Sequence, residues 1–160
     1  MLREEIDKVL SKLMGKVLHI TTLEAFKEIK QSGFIYPNED DSYFSPFGST
    51  NGYFKNKGCV SFFDYRTQLK HEEYIFKCLP TKIFEYSKVM VIFELSHNRY
   101  DYLISWREWD REKAFLQKVV PYVEVGLKGA VELKYIDNII MIERPDTYVT
   151  VAEFNNKIGI

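Results

Sequence analysis

Residues 16–33 read KVLHITTLEAFKEIKQSG, and this stretch decides the fold. Its first five residues form a β-prone run. Thr21 followed by Glu24 has the spacing of a capping box, in which the two side chains satisfy the free backbone N–H groups at a helix start. Apolar residues then recur at helical spacing up to Gly33, a typical helix stop. The segment predicts a strand that leads directly into a helix, with His19 at the junction.

An amphipathic helix is predicted before this unit, over residues 2–14, and several short strands are predicted after it. The β-prone runs are residues 59–63, 74–78, 89–95, 119–125 and 136–142. A second capping box, Ser105 with Glu108, predicts a helix that runs to about Gln117. Because regular helical crossovers do not separate the strands, we expect an α+β fold of small β-sheets with flanking helices, rather than a doubly wound parallel sheet.

The composition is that of one globular domain. The 160 residues are 46% hydrophobic and 28% charged, with no repeat or linker, so we expect a single domain over residues 1–160 with its α+β core at 16–156. A net charge of −1 disfavours tight nonspecific binding to duplex nucleic acid. Cys59 and Cys78 lack metal-ligand spacing, and the charged N-terminus lacks a secretory signal, which favours a reduced, cytoplasmic protein without a metal. No apolar run reaches the roughly 20 residues of a membrane-spanning helix.

Two residues carry the strongest chemical signal. His19 lies where a strand gives way to a helix, a position at which an imidazole can hydrogen-bond a sugar hydroxyl beside the free amides of the helix start. A core histidine bonded to a backbone carbonyl is the competing interpretation. Glu124 stands in an apolar strand pattern, either solvated at an edge or held in a cleft where its charge stabilises a developing cation.

Further candidates come from an aromatic-rich loop at residues 37–58 and from the strand that follows it. Aromatic rings there can stack on a base or on nicotinamide, although we expect most of them to fill the core. Arg66 could pair with a phosphate, but a salt bridge to the nearby Asp64 is its expected use.

Taken together, His19-Ile20-Thr21 at a helix start, Gly58-Cys59-Val60-Ser61-Phe62-Phe63 on a central strand and Glu124 on a late strand resemble the ADP-ribosyltransferase superfamily. They are most similar to small bacterial DarT-like members. The resemblance implies a fold of split small β-sheets, with NAD held as a substrate in the cleft between them and no metal.

The resemblance also assigns roles to residues. It implies that His19 hydrogen-bonds a ribose of NAD, that Thr21 lies close to NAD, and that Glu124 is the catalytic glutamate. Three residues remain open for the position beside nicotinamide, namely Tyr53, Ser61 and Tyr65.

Activity and partners follow from the same resemblance. It implies transfer of ADP-ribose to a nucleic acid or protein acceptor, in a toxin or phage-defence component that an antitoxin or other partner protein could bind. The Ser-Thr-Ser and Glu-x-Glu patterns of arginine-modifying toxins are absent, and Tyr122 stands where a helper glutamate would precede Glu124. A noncatalytic nucleotide-binding or protein-interaction module on the same fold is therefore the alternative.

Overall fold

A six-stranded antiparallel β-sheet forms the centre of the fold in the computed structural model, which describes residues 2–38, 40, 43–48, 51–67 and 72–159. In chain order the strands are β1 (Val17–Thr22), β2 (Phe34–Ile35), β3 (Cys59–Asp64), β4 (Val89–Leu95), β5 (Ile104–Ser105), β6 (Glu124–Lys128), β7 (Val131–Glu132) and β8 (Ile136–Glu143). The central sheet has the order β5-β6-β3-β1-β4-β8, and β2 pairs with β7 in a separate small sheet.

Helices cover both faces of the central sheet. They are α1 (Arg3–Leu13), α2 (Leu23–Ser32), α3 (Tyr53–Asn56), α4 (Glu72–Lys77), α5 (Trp106–Arg111) and α6 (Val151–Lys157). Short 3₁₀ helices occur at Pro80–Glu85, His97–Tyr102 and Leu133–Tyr135. The predicted mixed α+β class is confirmed, whereas the expectation of only small sheets is wrong, because one large sheet holds six of the strands.

Two apolar layers hold these elements together. On one face, α1 and the 3₁₀ helix Pro80–Glu85 pack against the sheet, and α1 buries Val9, Leu10 and Leu13 there. On the other face, α2 contributes Leu23, Phe26 and Ile29 to a cluster with β-strand valines and phenylalanines. The predicted amphipathic helix therefore packs on its own domain.

The strand-to-helix unit forms as the sequence predicts, but the N-cap of the helix lies one residue later than predicted. Thr22, not Thr21, is the N-cap of α2, and its Oγ1 accepts a hydrogen bond from the Ala25 N–H at 3.1 Å. Thr21 belongs to β1. Gly33 ends the helix in the left-handed conformation, with φ at 81°, and donates its N–H to the Ile29 carbonyl.

Three local predictions are wrong. Residues 74–78 are not a strand but lie mostly in α4, because a short apolar run does not distinguish strand from helix and two glutamates favour the helix start. The strand predicted at 119–125 begins only at Glu124, because Pro121 and Tyr122 form a turn. The helix after the N-cap Ser105 ends at Arg111, well before the predicted Gln117.

The central sheet is joined in its middle by a very short ladder. β1 pairs with β4 from Leu18 to Thr22. By contrast, its pairing with β3 is limited to Val17 with Asp64 and Leu18 with Phe63. The two halves of the sheet therefore separate beyond Leu18, which leaves a gap beside His19.

Candidate functional site

A cavity of about 800 Å³ opens where β1 and β3 separate. Ala25 and Ile29 of α2 line it on one face of the sheet, and Cys78 and Leu79, which follow α4, line it on the other. No residue of α2 is fully buried. The cavity therefore passes through the gap and reaches both layers of the fold.

His19 lines this cavity and is held in one orientation. Its half-buried ring packs against Phe62 and Phe93, with centroids 5.8 and 6.3 Å away. Its Nδ1 lies 2.9 Å from the Ser61 carbonyl oxygen. Because a carbonyl only accepts, Nδ1 is the protonated nitrogen, and in the neutral ring Nε2 is left as an acceptor. Burial, opposed by this hydrogen bond, lowers the pKa of His19 and favours that neutral form.

Glu124 is the first residue of β6 and also lines the cavity. Its Oε2 accepts a hydrogen bond from the Ser61 hydroxyl at 3.0 Å, and its Oε1 accepts one from the Val120 N–H at 3.2 Å. Burial raises the pKa of Glu124, whereas these two hydrogen bonds act to lower it. The carboxylate is therefore fixed in place and partly withdrawn from water.

Ser61 connects the two residues across three neighbouring strands. Its carbonyl orients His19 on β1, and its hydroxyl orients Glu124 on β6. Side chains alternate across a strand, so the His19 ring lies on the face that α2 covers, whereas the side chains of Ser61 and Glu124 lie on the opposite face. The gap between β1 and β3 is what lets all three residues border one cavity.

The other predicted site residues divide into two groups. Thr21 is almost fully buried and lines the cavity, as Ser61 does. Tyr53 and Tyr65 are fully buried in the apolar layers and do not border the cavity. Of the three residues left open for the nicotinamide position, only Ser61 is therefore brought to the site.

Arg66 is also outside the cavity lining. Its guanidinium makes two hydrogen bonds of 2.9 Å to the Asp64 carboxylate and lies over the Tyr100 ring. The expected salt bridge is confirmed, and it commits the guanidinium to a partner within the chain.

A tight turn positions Glu124. The Glu124 N–H donates to the Val120 carbonyl at 2.9 Å, while the Glu124 side chain accepts from the Val120 N–H. Tyr122, inside this turn, has φ at 65°, a left-handed conformation that is strained for a residue with a side chain. Its ring packs on Trp106 and Tyr74, with centroids 4.4 and 4.9 Å away. Tyr122, which stands where a helper glutamate would precede Glu124, is therefore part of an aromatic cluster.

Sequence reasoning missed two residues of the site. Val120 contributes only its backbone N–H, for which a side-chain pattern gives no signal. Cys78 lines the cavity, a position for which a cysteine without metal-ligand spacing gives no signal. Burial and the nearby charge of Glu124 raise the pKa of its thiol to about 11, so the sulfur is protonated at neutral pH.

Within the described residues, no group of three or more His, Cys, Asp or Glu side chains is placed to hold a metal ion. Among the helices in the same ranges, none has the length and apolar character needed to cross a membrane. No protein-family model matches this chain, and comparison with curated proteins and with solved structures gave no match.

Proposed function

We propose that this chain is an NAD-dependent ADP-ribosyltransferase with Glu124 and His19 as its central residues. The observation that supports the proposal is their meeting at one cavity, where Ser61 holds both of them. The cavity volume of about 800 Å³ lies within the usual range of roughly 300–1,000 Å³ for small-molecule sites.

His19 would bind and orient the substrate. Its Nε2 is the free acceptor of a neutral imidazole, so it suits the hydroxyl of a ribose, which can donate a hydrogen bond to it. Thr21 follows two residues later on the same face of β1 and adds a hydroxyl beside it. The Phe62 and Phe93 rings keep the imidazole from turning away.

Glu124 would carry the chemistry. In the transfer, the bond between the nicotinamide nitrogen and ribose C1′ breaks with its electron pair leaving on nicotinamide, and an acceptor atom bonds to C1′. Positive charge develops on the ribose as this happens, and an ionised carboxylate beside it is stabilising, more so in a cavity that excludes water. The same carboxylate can take the proton that the acceptor releases.

The acceptor is proposed to be a nucleic acid or a protein, in a toxin or phage-defence component that acts in the cytoplasm. A partner protein that blocks the cavity would then control it. These assignments rest on the resemblance described above, together with the cavity.

Nicotinamide release and transfer of label from NAD to mixed protein and nucleic acid acceptors test the proposal. Glu124→Gln keeps the shape of the side chain and should lower kcat by about 100-fold or more with a small change in KM, as loss of transition-state stabilisation does. Glu143→Gln, at an exposed position on β8, is the matched control. Undiminished transfer by Glu124→Gln would reject the assignment of this residue.

A noncatalytic nucleotide-binding module is the second candidate. Two observations favour it: burial raises the pKa of Glu124, which favours its neutral form, and Tyr122 supplies no second carboxylate. Calorimetric titration with NAD separates the two functions. Binding without nicotinamide release favours the module, and turnover excludes it as a full description.

A further inference from the structure

Lysines are concentrated around the cavity. Four of them line it, Lys55, Lys77, Lys82 and Lys118, whereas the lining has only two carboxylates, Glu28 and Glu124, among the described residues. The whole chain has nearly equal numbers of basic and acidic residues, 22 and 23. The local excess of positive charge is therefore a property of this cavity rather than of the protein surface in general.

Two of these lysines come from separate segments of the cavity wall. Lys82 lies on the side of α4 and the 3₁₀ helix that follows it. Its charge lowers the pKa of the Cys78 thiol and the charge of Glu124 raises it, so both groups lie within electrostatic range of that thiol. Lys118 comes from the other segment, two residues before Val120, whose N–H binds Glu124. The backbone of Lys118 is fixed by hydrogen bonds with Asn51 and Tyr53.

Lys82 and Lys118 lie at the surface beside the cavity. Both side chains are exposed, and across the described ranges neither lies within salt-bridge distance of a carboxylate. Lys57, which does not line the cavity, differs from them because its ammonium forms a salt bridge with Glu112 at 2.9 Å. Arg66, the phosphate candidate from the sequence, is paired with Asp64.

We propose that the cavity lysines Lys82 and Lys118 form a rim that selects ligands carrying phosphate groups. An ammonium group donates charge-assisted hydrogen bonds to phosphate oxygens. The phosphate belongs either to the diphosphate of NAD or to a phosphorylated acceptor. This inference deepens the proposed function and rests on it for the identity of the nucleotide.

Calorimetric titrations of the full chain test the rim, with ADP-ribose, adenosine and inorganic pyrophosphate as probes. ADP-ribose should bind at least about tenfold more tightly than adenosine, and its affinity should fall as salt rises, because exposed charges are screened. Lys82→Gln and Lys118→Gln should each weaken ADP-ribose or pyrophosphate binding about tenfold, the effect of losing one charge-assisted hydrogen bond. Adenosine binding should not change.

Lys128→Gln is the matched control, because Lys128 is exposed on β6, the strand of Glu124, but does not line the cavity. Equal weakening by this control, or measurable binding of both ADP-ribose and adenosine with equal affinity, would overturn the inference. So would failure of both ADP-ribose and pyrophosphate to bind. All three lysines are exposed, so their glutamine variants should melt at the wild-type temperature.

The remaining outcomes separate the rim from the proposed function and identify the source of the phosphate. If pyrophosphate binds through the lysines while ADP-ribose and NAD do not, the rim is supported and the proposed transferase is rejected. If pyrophosphate competes with ADP-ribose, the lysines hold the diphosphate of NAD. If both bind together, they hold the phosphate of an acceptor.

Discussion

Replacing Ser61 with alanine should disturb Glu124 and leave His19 in place. The variant loses the hydroxyl that donates to Glu124 Oε2 at 3.0 Å. The bond to His19 Nδ1 uses the Ser61 carbonyl, which the substitution keeps. The substitution therefore removes the contact with Glu124 and keeps the contact with His19.

The magnitude follows from the hydrogen bond that is lost. A hydrogen bond to a charged group contributes about 1.5–3 kcal/mol, and a neutral one about 1 kcal/mol. Because Glu124 is half-buried rather than fully enclosed, we expect a loss of about 1.5 kcal/mol in the free energy of unfolding when the carboxylate is ionised. The loss should be smaller at acidic pH, where Glu124 is protonated. The Ser61 hydroxyl acts to lower the pKa of Glu124, so that pKa should rise in the variant.

Two measurements test this prediction. Carbon-13 NMR of the glutamate carboxyls should show a higher titration midpoint for Glu124 and an unchanged ring environment for His19. Urea unfolding over a pH series should show the larger loss at neutral pH. Ser11→Ala, which removes an exposed hydroxyl on α1, should change neither measurement. An unchanged or lowered midpoint for Glu124 in Ser61→Ala would refute the reasoning.

Three further predictions concern stability. Gly126→Ala should cost about 1–3 kcal/mol in urea unfolding, because a Cβ there would lie 2.4 Å from the fully buried Phe54 ring. Glu124→Gln should gain stability relative to the wild type as pH rises above 4.5, the ordinary pKa of this group. The folded protein holds this proton more tightly than the unfolded chain, so ionisation above that pH acts against folding. His19→Asn should lose less stability than the wild type as pH falls below 6.5, because burial lowers the pKa of His19 and protonation then favours the unfolded chain.

Each of these predictions has a result that contradicts it. A Gly126→Ala variant as stable as the wild type would mean that Phe54 moves aside without cost. Parallel pH profiles for Glu124→Gln and the wild type would show that the carboxyl is not withdrawn from water in the folded protein. For His19→Asn, the contrary result is a steeper loss in acid than the wild type shows.

The sequence predicted those elements whose signals are local. The strand predicted at residues 89–95 is β4, with the same bounds, because an apolar run of that length with β-branched residues suits a buried strand. The stop at Gly33 is confirmed because glycine takes the left-handed conformation with little strain. The strand predicted at residues 74–78 is wrong because a short run of apolar residues suits either a strand or a helix, and packing decided the choice.

The candidate site was predictable in part. His19, Thr21, Ser61 and Glu124, which the sequence analysis selected, all border one cavity, and their roles there stay predictions. Tyr53, like Tyr65, was an open candidate because aromatic residues suit both a ligand site and a core, and the fold used it in the core. These two uses cannot be told apart from residue type alone, because both need the same flat apolar ring.

The sequence by itself determined the mixed α+β class, the strand-to-helix unit around His19 and the chemical character of the candidate residues, because each depends on neighbours along the chain. Only the tertiary structure decided that Ser61 lies between His19 and Glu124, and that β1 separates from β3 to leave a cavity there. Those features depend on strand order and register, which are set by the packing of residues distant in the chain.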